Sequence, residues 1–258
     1  MKVVILAGGY GTRISEETSV RPKPLVEIGG RPILWHIMKM YSAHGLTDFV
    51  ICGGYKCSMI KAYFRDYALE SSDVVFDYPN GTVNYIRRDV EPWRITVVDT
   101  GETTMTGGRV KRVLDHVGGE TFCLTYGDGV SDVDIGDVIR YHRDSGAKAT
   151  VTAVRQPGRF GALALDPDER HVRAFREKSN SDGGLINGGF FVLEPEVGEY
   201  IDGDDTVWEE QPLRSMARDG VLAAYRHFGF WQNMDTLRDK MVLENLWTKE
   251  GAPWKVWQ

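Results

Sequence analysis

Residues 3–7 read VVILA, a strand-like apolar run, and the six positions after it, Gly8 to Arg13, hold three glycines and an arginine. A glycine loop placed directly behind a first strand lies at the carboxyl end of a parallel sheet, where α/β proteins bind nucleotides. This pairing directs the chain toward an α/β fold with its site at one sheet edge.

The rest of the chain keeps that rhythm. RPILWHIMKMYSAHG reads as a helix, with Pro32 near its first turn and Gly45 just past its end. DFVICGG is a second strand and MIKAYFRDYAL the next helix. Between residues 73 and 100 the pieces DVVFDY, TVNYIRR and ITVVDT, joined by Pro and Asn-Gly turn signals, read as a β-rich insertion. The alternation returns with GGRVKRVLDHVG, TFCLTYGDG, IGDVIRYHRDSG and AKATVTAV. Strands at GALALD, HVRAFRE and LINGGFFVLEP follow, then helices near 208–219 and 235–248. With no internal repeat or low-complexity linker, the expectation is one domain over residues 1–258. It is a Rossmann-like, three-layer α/β body with a mixed, mostly parallel sheet, an excursion around 73–100, and a C-terminal helix and tail at 235–258. Trp247, Trp254 and Trp257 crowd that tail, which should pack on the body or on a neighbouring subunit.

Charge and cysteine usage narrow the function. With 31 Lys and Arg against 37 Asp and Glu, the net charge of -6 argues against nucleic acid as a partner. Small anions remain open through local arginines. Met1-Lys2 leads straight into the first strand, with no signal-peptide core and no apolar run near ~18 residues, so a cytoplasmic protein with no membrane partner is expected. Cys52, Cys57 and Cys123 are odd in number and lack CxxC spacing, which fits reduced buried thiols. The Asn80-Gly81-Thr82 triplet reads as a turn.

Gly8, Gly9 and Gly11 allow backbone conformations closed to other residues, so several N–H groups can face one anion. Arg13 adds a planar fork for phosphate oxygens. The alternative is a tight surface turn with a solvent-facing arginine. No Walker motif occurs, and a dinucleotide fingerprint starting at Gly9 fails at Ile14 and lacks an acidic residue after the second strand, which closes on Gly53-Gly54. What remains is LAGGYGTRI followed by RPKPLVEIGGRPIL, with Lys23 between two prolines. Together these resemble the sugar-1-phosphate nucleotidyltransferases, whose signature is a glycine loop with G-T-R followed by P-K-P. The likeness continues through SEETSVRPKP, WHIMKMYS, DTGETTMTGGRVKRV, PGRFGAL, INGGFFVL and APWK, and is strongest to the cytidylyl-transferring branch.

That resemblance implies the nucleotide-diphospho-sugar transferase fold and a reaction of CTP with glucose 1-phosphate giving CDP-glucose and pyrophosphate. It also implies Mg²⁺ as cofactor, service to deoxysugar synthesis for surface polysaccharide, and a homo-oligomer, a hexamer. It makes Leu6, Ala7, Gly8, Gly9, Gly11, Thr12, Arg13, Lys23, Thr104, Arg109 and Asp128 nucleotide-binding, with Arg13 and Lys23 catalytic. Asp128 and Asp235 are implied to hold the metal, and Lys23, Glu177, Lys178 and Asn187 the sugar phosphate.

A phosphate monoester, with a second pKa near ~6, is already largely a dianion at neutral pH, so its attack needs no general base. The site must instead gather anions and stabilise charge. Lys23, stiffened by Pro22 and Pro24, is placed to bridge two phosphates; outside its motif it would read as an exposed loop lysine. Asp128 and Asp235 are hard-cation ligands by type, with a turn Asp and a helix N-cap as the respective alternatives. Asp132 and Asp134 are weaker candidates, read as caps. Arg109 can donate to O2 and N3 of cytosine, with Gly107 and Gly108 letting the backbone approach; a solvated helix arginine is the alternative. Uracil and thymine share the O2 acceptor, so the choice of base rests on the resemblance. Tyr10 and Ser179-Asn180-Ser181 depart from the family pattern. Thymidylyl or uridylyl transfer, and a silent sugar-nucleotide-binding domain, stay as rivals.

Overall fold

The computed structural model describes residues 1–88, 90–155, 162–165, 172–176, 184–249 and 251–257. The chain opens with β1 (Val3–Ala7), a short α1 (Ser15–Thr18) and a ribbon of β2 (Glu27–Ile28) and β3 (Arg31–Pro32). Then come α2 (Ile33–Ala43), β4 (Asp48–Gly53), α3 (Cys57–Glu70), β5 (Ser72–Asp77), β6 (Thr82–Arg88) and β7 (Arg94–Asp99). The middle holds α4 (Thr106–Val117), β8 (Phe122–Tyr126), β9 (Gly129–Ser131), α5 (Ile135–Ser145), β10 (Ala149–Arg155), β11 (Ala162–Leu165) and β12 (Val172–Arg176). The chain finishes with β13 (Leu185–Leu193), α6 (Gln211–Arg218), β14 (Leu222–His227), β15 (Trp231–Asn233) and α7 (Leu237–Thr248).

Seven strands make the central sheet in the order β14-β10-β13-β8-β1-β4-β7. Six share one direction; β13 alone runs antiparallel to both of its neighbours. The mixed, mostly parallel α/β sheet expected from the sequence is therefore present. Strand β1 shows why it has three layers, because successive side chains point to opposite faces. Val3, Ile5 and Ala7 join α2, α3, α5 and α7 in one core, while Val4 and Leu6 join α4 and α6 in the other. Burying apolar side chains on both faces, at about 1.5–3 kcal/mol each, favours this arrangement over a one-sided sheet.

The excursion differs from expectation in one respect. Strands β5 and β6 form a separate hairpin, but ITVVDT leaves it and becomes β7, parallel to β4 at the sheet edge. Its Ile95 and Val97 pack on one core and Val98 on the other, so cover on both faces draws it into the sheet. Pro32, expected near the first turn of α2, is its N-cap.

The tail packs on the body, as one of the two expected outcomes had it. Trp254 is 1% exposed, and with Trp247 and Trp257 it surrounds the buried His36. All three cysteines are free and buried; desolvation pushes the Cys52 and Cys123 thiols up to about 12. No helix of the described residues is long and apolar enough to cross a membrane.

Candidate active site

A cleft of about 580 Å³ opens at the carboxyl ends of β1 and β8, where the reversed β13 also enters the sheet. Its floor is the glycine loop. Gly11 sits in the left-handed region (φ +65) as the chain turns into a short 3-10 helix carrying Arg13. A Cβ on Gly8 would lie 2.1 Å from Arg109 Nη1, so the loop's start is closed to any larger residue. A Cβ on Gly9 meets nothing within 4 Å, which leaves that backbone open toward the cleft.

Lys23 comes in beneath this loop on a one-turn 3-10 helix set by Pro22 and Pro24. It is 9% exposed and its Nζ donates to Asp128 Oδ2 at 2.5 Å and Asp235 Oδ1 at 2.6 Å. Burial pulls the Lys23 ammonium down, but Asp128 and Asp235 together more than reverse this, so it is held above its ordinary value. The exposed-lysine alternative is thus not what the fold makes.

The two carboxylates, far apart in sequence, are brought together by a two-stranded ribbon. Strands β9 and β15 pair antiparallel, Asn233 opposite Gly129, and Met234 N donates to Asp128 O at 2.8 Å. Asp235 is 7% exposed and accepts from Lys23, from Arg13 Nη1 at 2.7 Å and from Asn233 Nδ2 at 2.6 Å. It is not the cap of α7: Thr236 is, in a capping box with Asp239, whose carboxylate also accepts from Asp235 N. Asp134 caps α5 as anticipated, while Asp132 pairs with His227 at 2.8 Å and caps nothing.

Hard oxygen donors converging on a single ammonium make a suitable seat for a hard divalent cation, and Lys23 Nζ marks the point where they meet. Among the described residues no group of three or more His, Cys, Asp or Glu is arranged to hold a metal. A cation here would complete its shell with phosphate oxygens and water, as Mg²⁺ ordinarily does.

Arg109 lines the cleft and also has protein partners that were not expected. It is 4% exposed, with Nη1 near Gly53 O, Thr100 Oγ1 and Gly101 O, and Nη2 near Gly8 O and Glu102 O. The fork expected to read a base therefore ties the ends of β1, β4 and β7 together behind the glycine loop. Burial pulls the guanidinium down from its ordinary value, yet an arginine stays charged in a protein. Gly107 and Gly108 do correct the expectation. Their amides donate to Thr206 O, and a Cβ on either would strike Thr206 or Asp204, so they serve the packing of α4 on that loop rather than a nucleotide.

Leu6, Ala7, Thr12, Arg13, Thr104 and Asn187 all line the cleft. Asn187 gives its amide to Tyr126 Oη at 3.1 Å, and its Oδ1 accepts from Gly189 N. Tyr10 also lines the cleft, 45% exposed and tilted on Tyr55. Glu177, Lys178 and Ser179-Asn180-Ser181 lie outside the described residues. Sequence reasoning missed Tyr126, Glu209, Trp231 and Asn233, all in the cleft wall. Asn233, two residues before Asp235, and Tyr126, two before Asp128, were within reach of a neighbour argument; Glu209 stands in a loop with no spacing signal.

Comparisons with known proteins bear on the family and the fold. The family model described as nucleotidyl transferase matches residues 2–219. The chain is 58% identical over 259 residues, all of both chains, to a protein named "Glucose-1-phosphate cytidylyltransferase" from Salmonella typhi. It is 45% identical over 258 residues, again all of both, to a "Probable glucose-1-phosphate cytidylyltransferase" from Bacillus subtilis. A crystal structure of HddC from Yersinia pseudotuberculosis shares the fold, with a TM-score of 0.69 at 24% identity, covering 95% of this chain and 99% of that one.

Proposed function

The chain belongs to the nucleotidyl transferase family, and from that premise we propose that it transfers a cytidylyl group from CTP to α-D-glucose 1-phosphate. The products are CDP-glucose and pyrophosphate. The observation that carries the reading is the convergence of Lys23 on Asp128 and Asp235 beneath the glycine loop.

The sugar phosphate attacks as a dianion, its second pKa near ~6, so no residue needs to remove a proton. Its oxygen forms a new bond to the α-phosphorus in line with the bridging oxygen to the β-phosphorus, and that bond breaks to release pyrophosphate. The amides of Gly8 to Gly11 and the Arg13 fork hold the triphosphate, with Arg109 bracing the loop from behind. Lys23, kept protonated by its carboxylates, can exchange one of them for phosphate oxygens and so draw the two anions into one place. Asp128 and Asp235 hold Mg²⁺, which neutralises charge on the phosphate oxygens when bound. Asn187, with Glu177 and Lys178, takes the sugar phosphate, and Thr104 lies on the base side. Residues 1–258 work as one domain in the cytoplasm, as a homo-oligomer that sedimentation would size. CDP-glucose then goes on to deoxysugars of surface polysaccharide.

The test is pyrophosphate release from CTP, UTP, dTTP, ATP and GTP with glucose 1-phosphate, with and without Mg²⁺. Release from CTP in Mg²⁺ is expected. No release from any triphosphate would sink the transfer reading, and a preference for dTTP or UTP would sink the choice of base.

A further inference from the structure

Glu209 is a further carboxylate in the cleft wall, distinct from the two that hold Lys23. It makes no ion pair among the described residues. In a cleft that collects polyanions, a carboxylate repels the ligand unless it accepts a hydrogen from it.

Its surroundings orient it for that. Thr106 Oγ1 donates to Glu209 Oε2 at 2.7 Å, and the same hydroxyl oxygen accepts from Trp208 N at 2.9 Å, which fixes the direction of the hydrogen. A backbone amide and a hydroxyl thus form a chain of donors that ends on a half-buried carboxylate. The chain arrives from α4, which follows the Thr104 segment. Tyr126 lines the same cleft, and its oxygen accepts from Asn187 Nδ2 at 3.1 Å.

A carboxylate held this way accepts only, and phosphate oxygens, being acceptors, gain nothing from it. Sugar hydroxyls are neutral donors of the right kind. We propose that Glu209, set in place by Thr106, accepts a hydrogen bond from a sugar hydroxyl of the bound substrates and selects the hydroxylated over the deoxy compound. The hydroxyl belongs to the ribose of the nucleotide or to the hexose; the chemistry is the same, and substrate analogues separate the two. The inference rests on the transfer reading above.

The experiment compares kcat/KM of the full chain and its Glu209→Gln variant. One arm uses CTP against 2′-deoxy-CTP, and a second uses glucose 1-phosphate against analogues each lacking one hydroxyl. Glutamine should cost roughly tenfold or more on the natural pair, the scale of a charged hydrogen bond. That penalty should shrink to within about twofold for the one analogue that lacks the partner hydroxyl. A penalty that persists unchanged across all analogues, or no penalty, overturns the proposal. So does a penalty that vanishes only when UTP replaces CTP, which would give the carboxylate to the base amino group. If Glu209→Gln fails to fold, Thr106→Val carries the same comparison, with a smaller loss expected on the same analogue. Absence of turnover by the unaltered chain would count against the transfer reading, and CDP-glucose binding by calorimetry then decides on Glu209. About tenfold weaker binding to the variant supports it, and equal binding overturns it.

Discussion

Lys23 was legible because two prolines and a glycine loop framed it, but its partners were not, since Asp128 and Asp235 reach it only through folding. A buried ammonium between two carboxylates has a specific vulnerability: removing it leaves two like charges together. Lys23→Met should lower kcat by roughly a hundredfold or more, the scale seen when one preorganised charge-stabilising group is lost. An unchanged kcat would show that Lys23 only shapes the cleft. Neighbouring glycines separate packing from ligand contact. Gly8→Ala drives a methyl into Arg109 and should cost about 1–3 kcal/mol in urea unfolding. Gly9→Ala meets open space, so its stability should stay within about 0.5 kcal/mol while KM for CTP rises. Equal stability losses for both would refute this division of labour. Arg109 lines the cleft, and its type suits a base edge as well as the knot of carbonyls that Gly8, Gly53 and Gly101 form around it, which no local pattern announces.

At the scale of elements, the ribbon of β9 and β15 makes the carboxylate pair, and the cap of α7 holds one end of it. Neither three-residue strand has enough length to show a period, so the ribbon was invisible in the sequence. Thr236→Ala should cost about 1 kcal/mol of stability, as cap losses do, and raise the Mg²⁺ concentration needed for half-maximal rate, because Asp235 N bonds the same capping carboxylate. A stability loss with no change in the Mg²⁺ requirement would uncouple cap from site. The tail makes a different prediction. His36 faces Ile28 O at 2.8 Å and Trp254 Nε1, with Arg31 nearby and three tryptophan rings of the tail around it. Burial pushes its folded value down to about 4 from 6.5. A group so depressed contributes stability that is fully present above about 6.5 and is lost as pH falls toward 4, amounting to about 3 kcal/mol at most. Urea melts at pH 7 and pH 4.5 should show that loss in the unaltered chain and much less of it in His36→Gln. Identical pH profiles would remove His36 from the account.

For the molecule as a whole, the α/β class and the position of the site were readable from one strand, one glycine loop and the alternation that follows. The unreadable parts share a cause. The reversed β13, the edge role of β7 and the ribbon of β9 with β15 are long-range pairings, and local pattern carries no record of which distant segment a strand will meet. These pairings put a nucleotide loop, a cation and two carboxylates at one sheet edge, which is the arrangement the transfer reading depends on. Its most direct test is ³¹P NMR of the full chain and of Lys23→Met, each mixed with CTP, glucose 1-phosphate and Mg²⁺, with CTP binding to both measured by calorimetry. CDP-glucose and pyrophosphate should form in equal amounts with the unaltered chain, and the variant should bind CTP but leave it almost unconverted. Release of orthophosphate in place of pyrophosphate, or conversion by Lys23→Met at the unaltered rate, would contradict it.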